Sequence, residues 1–203
     1  MRDQFFYLQD PFRVSIIMSS FIGTYTIPDV SLCDRIIDHF EQHPAISPGG
    51  FMLGSQYVVD PARKQCDQVL FDFDHELCQL YEQQLQLVAD QYTQQYPWSN
   101  SYDSWMVREP IQIQRYLPGQ AYYDYHCERT GAVGHQSARH LVFMTYLNTL
   151  TDQGGTEFPQ QQTVLTPTQG LTVIWPADWT HTHRGIASAT QTKYIVTGWF
   201  SYC

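Results

Sequence analysis

The sequence predicts a mainly β protein of the α+β class, a β-sandwich or jelly roll backed by helices from its N-terminal half. Apolar residues recur with a helical period up to about residue 104, and from Trp105 onward short runs rich in β-branched and aromatic residues replace them. Helices followed by about seven or eight short strands are typical of such a layered fold. At 203 residues and 43% hydrophobic composition we expect one domain, with residues 1–104 as mainly helical support and 105–203 as the jelly-roll core.

Two helices are expected in the first half. The first can be capped by Asp29 or Ser31 and ends before Pro44. It carries the apolar residues Leu32, Ile36, Ile37 and Phe40. The second begins after an Asp74 cap and stops by Pro97. Its apolar residues fall on one side of the helix, which predicts that this side packs against the sheet. They are Leu77, Leu80, Tyr81, Leu85, Val88 and Tyr92.

Four strands of the second half are the most distinct, and each is bounded by turn-forming residues such as Pro118-Gly119 or Gly154-Gly155. They cover residues 111–117, 139–148, 171–175 and 192–201.

Alternation along the first of these strands gives it one polar and one apolar face. Tyr116 shares its face with Gln112 and Gln114, whereas Ile111 and Ile113 point the other way. Such alternation normally means that the polar face is exposed to solvent.

The charge balance narrows the range of partners. Twenty acidic against 11 basic residues give a net charge of -9, which disfavours nucleic acid and anionic membrane surfaces as partners. The five cysteines form no C-x-x-C pair, which argues against a disulfide framework or a zinc knuckle. The apolar run 14–18 is too short for a signal peptide, and no stretch approaches the ~18 residues of a membrane span. We therefore expect a cytoplasmic protein with no membrane or nucleic-acid partner.

A histidine–glutamate pair and a nearby histidine cluster form the candidate metal site. Positions i and i+2 of a strand face the same way, so His126 and Glu128 can reach one ion, although a chance His-x-Glu pair is the alternative. One histidine of His181-Thr182-His183 would complete two imidazoles and one carboxylate. That facial triad is typical of non-heme Fe(II) oxygenases.

Lys193 is one of only two lysines in the chain, the other being Lys64. It shares a strand face with Ile195 and Trp199, where a lone buried ammonium is costly unless an anion offsets its charge. The alternative is that Lys193 lies at the exposed start of the strand and reaches solvent.

Several short motifs occur in order between residues 111 and 200. Together they resemble the 2-oxoglutarate/Fe(II)-dependent dioxygenases, and the prolyl 4-hydroxylase-like branch matches best. The resemblance implies a double-stranded β-helix, a jelly-roll variant that agrees with the strand pattern. It also implies that the polar face of residues 111–117 lines the barrel and that the isoleucines of this strand pack outward against the helices. The motifs are Tyr116-x-x-Gly119, His126-x-Glu128, Gly154-Gly155-Thr156-Glu157-Phe158, Trp175-Pro176, His183 and Lys193.

The resemblance implies a role for each matching residue. His126, Glu128 and His183 would be the catalytic metal ligands, and Lys193 would bind the far carboxylate of 2-oxoglutarate. His181 is the alternative distal ligand, but Lys193 follows His183 by ten positions, the spacing that the family uses. The resemblance also implies that the cosubstrate pocket contains Tyr146, Tyr116 and Trp199. Arg139 would lie near the substrate, and the alternative is a position on the protein surface.

One position departs from the family, which usually has Asp where this chain has Glu128. Glutamate is an acceptable oxygen ligand, and a carboxylate here argues against halogenation, for which the family replaces that ligand.

The resemblance implies an oxidoreductase that uses Fe(II), 2-oxoglutarate and O2, and it allows ascorbate as a further cofactor. The implied reaction couples decarboxylation of 2-oxoglutarate to succinate with hydroxylation of an unactivated C–H bond. A peptidyl proline is the leading substrate, and a free amino acid or other small molecule is the alternative. A non-catalytic jelly-roll module that binds a metal or a sugar is the alternative from another class.

Residues 129–138 are expected to be either a loop that closes over substrate or an ordinary strand connection.

Overall fold

Antiparallel strands make up most of the structure, a computed structural model that describes residues 20–54, 56–130 and 134–203. The apolar run 14–18 considered above lies outside these residues. In chain order the strands are β1 Gly23–Thr26, β2 Ser47–Pro48, β3 Phe51–Leu53, β4 Gln56–Val58, β5 Asp67–Phe71, β6 Trp105–Val107, β7 Ile111–Tyr116, β8 Arg139–Tyr146, β9 Thr156–Phe158, β10 Thr163–Leu165, β11 Leu171–Pro176, β12 Arg184–Gly185 and β13 Lys193–Tyr202.

Two α-helices accompany the strands, α1 over Ser31–Glu41 and α2 over Glu76–Gln95. Short 3-10 helices occupy Pro97–Asn100, His135–Ala138 and Trp179–His181. Neither α1 nor α2, the two α-helices of the described residues, has an apolar stretch long enough to cross a membrane.

The main sheet has eight strands in the order β1-β11-β8-β13-β7-β5-β2, with β6 pairing to β13. A second sheet has the order β10-β9-β12, and β3 and β4 form a separate hairpin. Phe158 of the second sheet packs edge-on against Trp175 of the main sheet, with ring centroids 5.4 Å apart. The two sheets thus enclose a common core, the arrangement of a double-stranded β-helix, or jelly roll.

The two faces of the main sheet have different partners. Ile111 and Ile113 are fully buried and belong to the core that α1 and α2 form with the sheet. Gln112, Gln114 and Tyr116 of the same strand line a cavity on the opposite face. The alternation expected from the sequence is confirmed. The polar face of β7 is an interior lining, as the family resemblance implies, and the solvent face that the alternation alone indicates is wrong.

The helix starts differ in detail from the expectations. The N-cap of α1 is Val30, although the Asp29 carboxylate still accepts the Ser31 amide N–H at 3.1 Å. The N-cap of α2 is His75 rather than Asp74, because the His75 Nδ1 atom accepts the amide N–H of Leu77 at 3.1 Å.

The first half of the chain also contributes to the main sheet, through β1, β2 and β5. Residues 1–104 therefore supply strands as well as the helical support expected of them. These strands span only four, two and five residues, too few for an alternation that stands out from the sequence.

Helix α2 provides a test of the helix–sheet core. Leu85 is 2% exposed and packs in this core, whereas Leu87 is 47% exposed on the same helix. Leu85→Ala should lower the free energy of unfolding by about 2–5 kcal/mol, because it removes apolar contacts and leaves a cavity. Leu87→Ala should change it by less than about 0.5 kcal/mol. Urea unfolding measures both, and equal losses would contradict this packing.

Candidate active site

Three side chains converge at one end of the barrel interior. One ligand atom from each of His126, Glu128 and His183 lies within 4.8 Å of the other two. The Glu128 Oε1 atom is 3.6 Å from His126 Nε2 and 3.7 Å from His183 Nε2. Two imidazoles and one carboxylate are a donor set that suits Fe(II), so these residues fit the metal implied by the resemblance.

Backbone hydrogen bonds bring the two histidines together. His126 and His183 form an antiparallel bridge in which each amide N–H donates to the carbonyl of the other, both at 2.9 Å. The Nδ1 atoms also lie 2.9 Å from carbonyl oxygens, that of His126 from Asp124 and that of His183 from His181. An Nδ1–H donor at each contact leaves Nε2 with a free lone pair beside Glu128.

His181 does not belong to this group. Its Nε2 atom lies 2.8 Å from the backbone oxygen of Ser20, and its Nδ1 atom lies 3.0 Å from Thr180 Oγ1. With both ring nitrogens engaged elsewhere, the geometry favours His183 over His181 as the distal ligand.

The Glu128 carboxylate is oriented by two donors on its second oxygen. Trp199 Nε1 donates to Glu128 Oε2 at 3.0 Å and Arg139 Nη1 donates to it at 3.2 Å, which leaves Oε1 facing the imidazoles. Burial alone raises the pKa of Glu128, but the nearby His126, Arg139 and His183 outweigh it and hold the pKa well below its usual range. Burial and the neighbouring His126 lower the pKa of His183 to about 3. The carboxylate is thus ionised and His183 neutral, the forms that bind a cation.

Arg139 is buried rather than on the surface. Its guanidinium forms a two-pronged pair with Glu109, through Nε at 2.8 Å and Nη2 at 2.5 Å, and lies 3.5 Å over the Trp199 ring. The surface position considered for Arg139 is wrong. Its contacts indicate a residue that holds Glu128 in place, and contact with substrate stays a prediction.

A cavity of about 270 Å³ opens beside the three converging side chains. Lys193, Ile195, Thr197 and Trp199 all line it, as the alternation along β13 predicts. Of the residues singled out in the sequence, the lining contains His126, Glu128, His183, Lys193, Tyr116, Trp199 and Arg139.

Lys193 is 4% exposed, so it does not reach open solvent. Its Nζ atom donates to the Gly154 carbonyl at 2.9 Å and lies 4.7 Å from the centre of the Tyr116 ring. No carboxylate of the described residues forms a salt bridge with it. Burial lowers the pKa of Lys193 to about 8. A buried cation with spare donors at a cavity wall fits the far carboxylate of 2-oxoglutarate.

Tyr146 lies one layer behind the cavity. It is fully buried, and its hydroxyl forms a 2.7 Å hydrogen bond with Thr156 Oγ1. Thr156 lines the cavity, and Tyr146 does not. The direct contact with the cosubstrate implied for Tyr146 therefore has no support in this geometry. Tyr116 does line the cavity, with its hydroxyl donating to Gln114 Oε1 at 2.7 Å.

Sequence reasoning overlooked Lys64, which lines the same cavity and is 5% exposed. It also overlooked Tyr122, whose ring stacks on His126 at a centroid distance of 3.7 Å. Lys64 lies in the segment between β4 and β5, where no periodicity indicates a side chain's direction. The scarcity of lysine was the one available signal, and it applied to Lys64 as much as to Lys193.

The segment 129–138 is anchored at both ends. Arg129 pairs with Asp178 through Nε and Oδ1 at 2.8 Å, and His135–Ala138 form a 3-10 helix. Because residues 131–133 lie outside the described residues, closure of this loop over substrate stays a prediction.

The unpaired charge of Lys193 yields a stability test. Lys193→Met should raise the free energy of unfolding of the ligand-free chain by about 1–3 kcal/mol at pH 7, because it removes a buried ammonium without a counter-ion. The penalty is complete below pH 8, where the folded chain must carry the buried charge. It shrinks between pH 8 and the ordinary pKa of 10.5, where the folded lysine is neutral and the unfolded one still protonated.

Urea unfolding of both proteins at pH 7 and pH 9.5 measures this difference. A variant less stable than the wild type at both pH values would show that the Lys193 charge is compensated within the fold.

Part of the chain matches a known protein family. Residues 111–201 match the family model described as the 2OG-Fe(II) oxygenase superfamily, and no curated protein matches the chain significantly. The range agrees with the stretch that carries the sequence motifs.

Three solved structures have a similar fold. A viral collagen prolyl hydroxylase from Paramecium Bursaria Chlorella virus-1 is 18% identical, with a TM-score of 0.63 over 90% of this chain and 96% of that one. A Pseudomonas putida prolyl-4-hydroxylase is 17% identical, with a TM-score of 0.67 over 89% and 92%. A Trichoplax adhaerens prolyl hydroxylase, in complex with a peptide fragment of the oxygen degradation domain of hypoxia inducible factor, is 14% identical, with a TM-score of 0.70 over 91% and 84%.

At these identities the likeness establishes the fold, and the double-stranded β-helix expected from the sequence is confirmed. The match over residues 111–201 to the 2OG-Fe(II) oxygenase superfamily supports a dioxygenase over a non-catalytic binding module, and the fold is similar to that of the prolyl hydroxylases.

Proposed function

We propose that the chain hydroxylates an unactivated C–H bond of a peptidyl proline, with 2-oxoglutarate and O2 as cosubstrates. The observation that carries this proposal is the buried, unpaired Lys193 ammonium in the same cavity as the His126, Glu128 and His183 group. The similar structures named prolyl hydroxylases support the choice of substrate, and one of them was solved with a peptide fragment.

His126, Glu128 and His183 would hold Fe(II), and Lys193 would bind the far carboxylate of 2-oxoglutarate. When bound, these groups supply the oxidising chemistry, in which O2 and 2-oxoglutarate give succinate, CO2 and one oxygen atom for the substrate C–H bond. The chain's own task is to position the reactants and to exclude water. The aromatic rings of Tyr116, Tyr122 and Trp199 wall the cavity for that purpose.

Arg139 acts in this scheme as a positioning residue. Together with Trp199 it occupies Glu128 Oε2, so that Oε1 is the oxygen available beside the imidazoles. The Glu109 carboxylate in turn fixes the guanidinium, which keeps the longer glutamate side chain in one orientation.

A free amino acid is the second candidate substrate. The observation in its favour is Lys64, which offers the cavity a second ammonium that a carboxylate would satisfy.

Anaerobic addition of Fe(II) and 2-oxoglutarate tests the cofactor assignment. The wild type should develop a weak visible charge-transfer band, because the cosubstrate chelates a metal held by protein ligands. His183→Ala should lose the band, and His181→Ala, whose ring nitrogens bond to Ser20 and Thr180, should keep it. No band in the wild type would refute the assignment, and loss of the band in His181→Ala alone would reverse the choice of distal ligand.

A substrate panel tests the reaction. With Fe(II), 2-oxoglutarate, O2 and ascorbate supplied, proline-containing peptides should raise succinate release above the level without substrate and gain one oxygen atom by mass spectrometry. Matched peptides with alanine in place of proline are the control. Stimulation by free amino acids but by no peptide would favour the second candidate.

A further inference from the structure

Both lysines of the chain point into one cavity. Lys64 is 5% and Lys193 4% exposed, and both line the cavity beside the metal-ligand group. Buried lysines are rare unless paired, and here the whole lysine content of a chain with net charge -9 lies in one interior space. The cavity therefore differs in charge from the rest of the molecule.

Neither ammonium is satisfied by the described residues. Lys64 Nζ donates to the Gly50 carbonyl at 2.9 Å, and Lys193 Nζ donates to the Gly154 carbonyl at 2.9 Å. An ammonium has three donors, and neither lysine forms a salt bridge with any described carboxylate. Each is an unmatched cation with donors to spare.

The remaining cation of the cavity wall is already matched. Arg139 bonds the carboxylates of both Glu109 and Glu128, which are the two acidic residues of the lining. Three cations thus face two carboxylates, and the surplus positive charge lies at the two lysines.

The two lysines lie over different aromatic rings of the cavity lining. Lys193 lies over the Tyr116 ring, whereas Lys64 lies 5.3 Å from the centre of the Tyr122 ring, which stacks on His126. The Gly50 carbonyl that Lys64 contacts directly precedes the β3–β4 hairpin, whose Met52 and Tyr57 line the cavity and are 43% and 53% exposed. Lys64 is therefore bonded to the backbone that leads into a partly exposed hairpin of the cavity lining.

We propose that Lys64 is a second anion-binding residue, separate from the cosubstrate site at Lys193, and that it binds a carboxylate of the substrate. The inference rests on the proposed function, in which the far carboxylate of 2-oxoglutarate takes Lys193 and leaves Lys64 free. The substrate is then an acid, either a free amino acid or a peptide with an acidic side chain near the hydroxylated residue.

The two lysines can be observed individually. In protein labelled with ¹³C at lysine Cε, the chain gives two side-chain signals, and Lys64→Met assigns them by removing one. If that variant does not fold, Lys193→Met assigns them instead. Zn(II) replaces Fe(II), so that no turnover occurs and the spectra stay sharp.

With Zn(II) bound, 2-oxoglutarate should shift mainly the Lys193 signal. Propionate added to this complex should then shift the Lys64 signal. The dissociation constant obtained from this shift should be about tenfold lower for propionate than for uncharged propionamide. Arg35→Gln, which removes an exposed charge on α1, is the matched control and should leave the response unchanged. Two pairs of compounds show which kind of substrate supplies the carboxylate. L-proline and L-prolinamide test a free amino acid, and acetyl-Pro-Glu amide and acetyl-Pro-Gln amide test a peptide side chain. Tighter binding of the acidic member of a pair identifies the source.

The lysine signals distinguish a failure of the proposed function from a failure of the inference about Lys64. If 2-oxoglutarate shifts neither lysine, the proposed function fails and this inference with it. If 2-oxoglutarate shifts Lys64 as strongly as Lys193 and propionate adds nothing, Lys64 belongs to the cosubstrate site and only the inference is overturned. Equal binding of propionate and propionamide, or equal binding within both pairs, would also overturn it.

Discussion

The candidate site depends on one short backbone pairing. His126 and His183 are far apart in the chain, and two reciprocal hydrogen bonds of 2.9 Å hold their backbones together. This bridge sets the distance between the imidazoles, and Glu128, two residues along from His126, completes the group on the same face. Both histidines lie outside the strands, in connecting segments that the fold brings side by side. Without the bridge, the residue types alone would not form a cation site.

The sequence could predict the direction of a side chain only where it lies in a strand with clear alternation of polar and apolar residues. The shared face of Lys193, Ile195 and Trp199 could be predicted, and so could the separation of Tyr116 from Ile111 and Ile113, because both lie in strands with clear alternation. That the face of Tyr116 lines the interior was implied only by the family resemblance, since alternation alone indicates a solvent face. The spacing from His183 to Lys193 favoured the distal histidine that the geometry also favours. Periodicity gave no information on the irregular segment that carries Lys64. It also could not reveal that Tyr146 would lie behind Thr156, since that depends on packing between the two sheets.

The charges of the cavity show how function and stability compete. The chain as a whole is strongly acidic, yet its interior cavity keeps three cations against two carboxylates. Arg139 is balanced by Glu109 and Glu128, so it stabilises the site as well as orienting it. Lys64 and Lys193 form no salt bridge with a carboxylate of the described residues, and burial lowers the pKa of both. Perturbed pKa values of this kind cluster at functional sites. Binding of an anionic ligand would offset the cost of the two buried charges.

Burial of the whole lysine content also affects the outside of the molecule. With Lys64 and Lys193 both lining the cavity, the exterior presents no lysine amine to acylating, cross-linking or ubiquitin-transferring chemistry. Any modification of a lysine in this chain would therefore report that the reagent had entered the cavity or that the fold had opened. Amine reactivity, usually a measure of a protein's surface, becomes for this chain a measure of access to its interior.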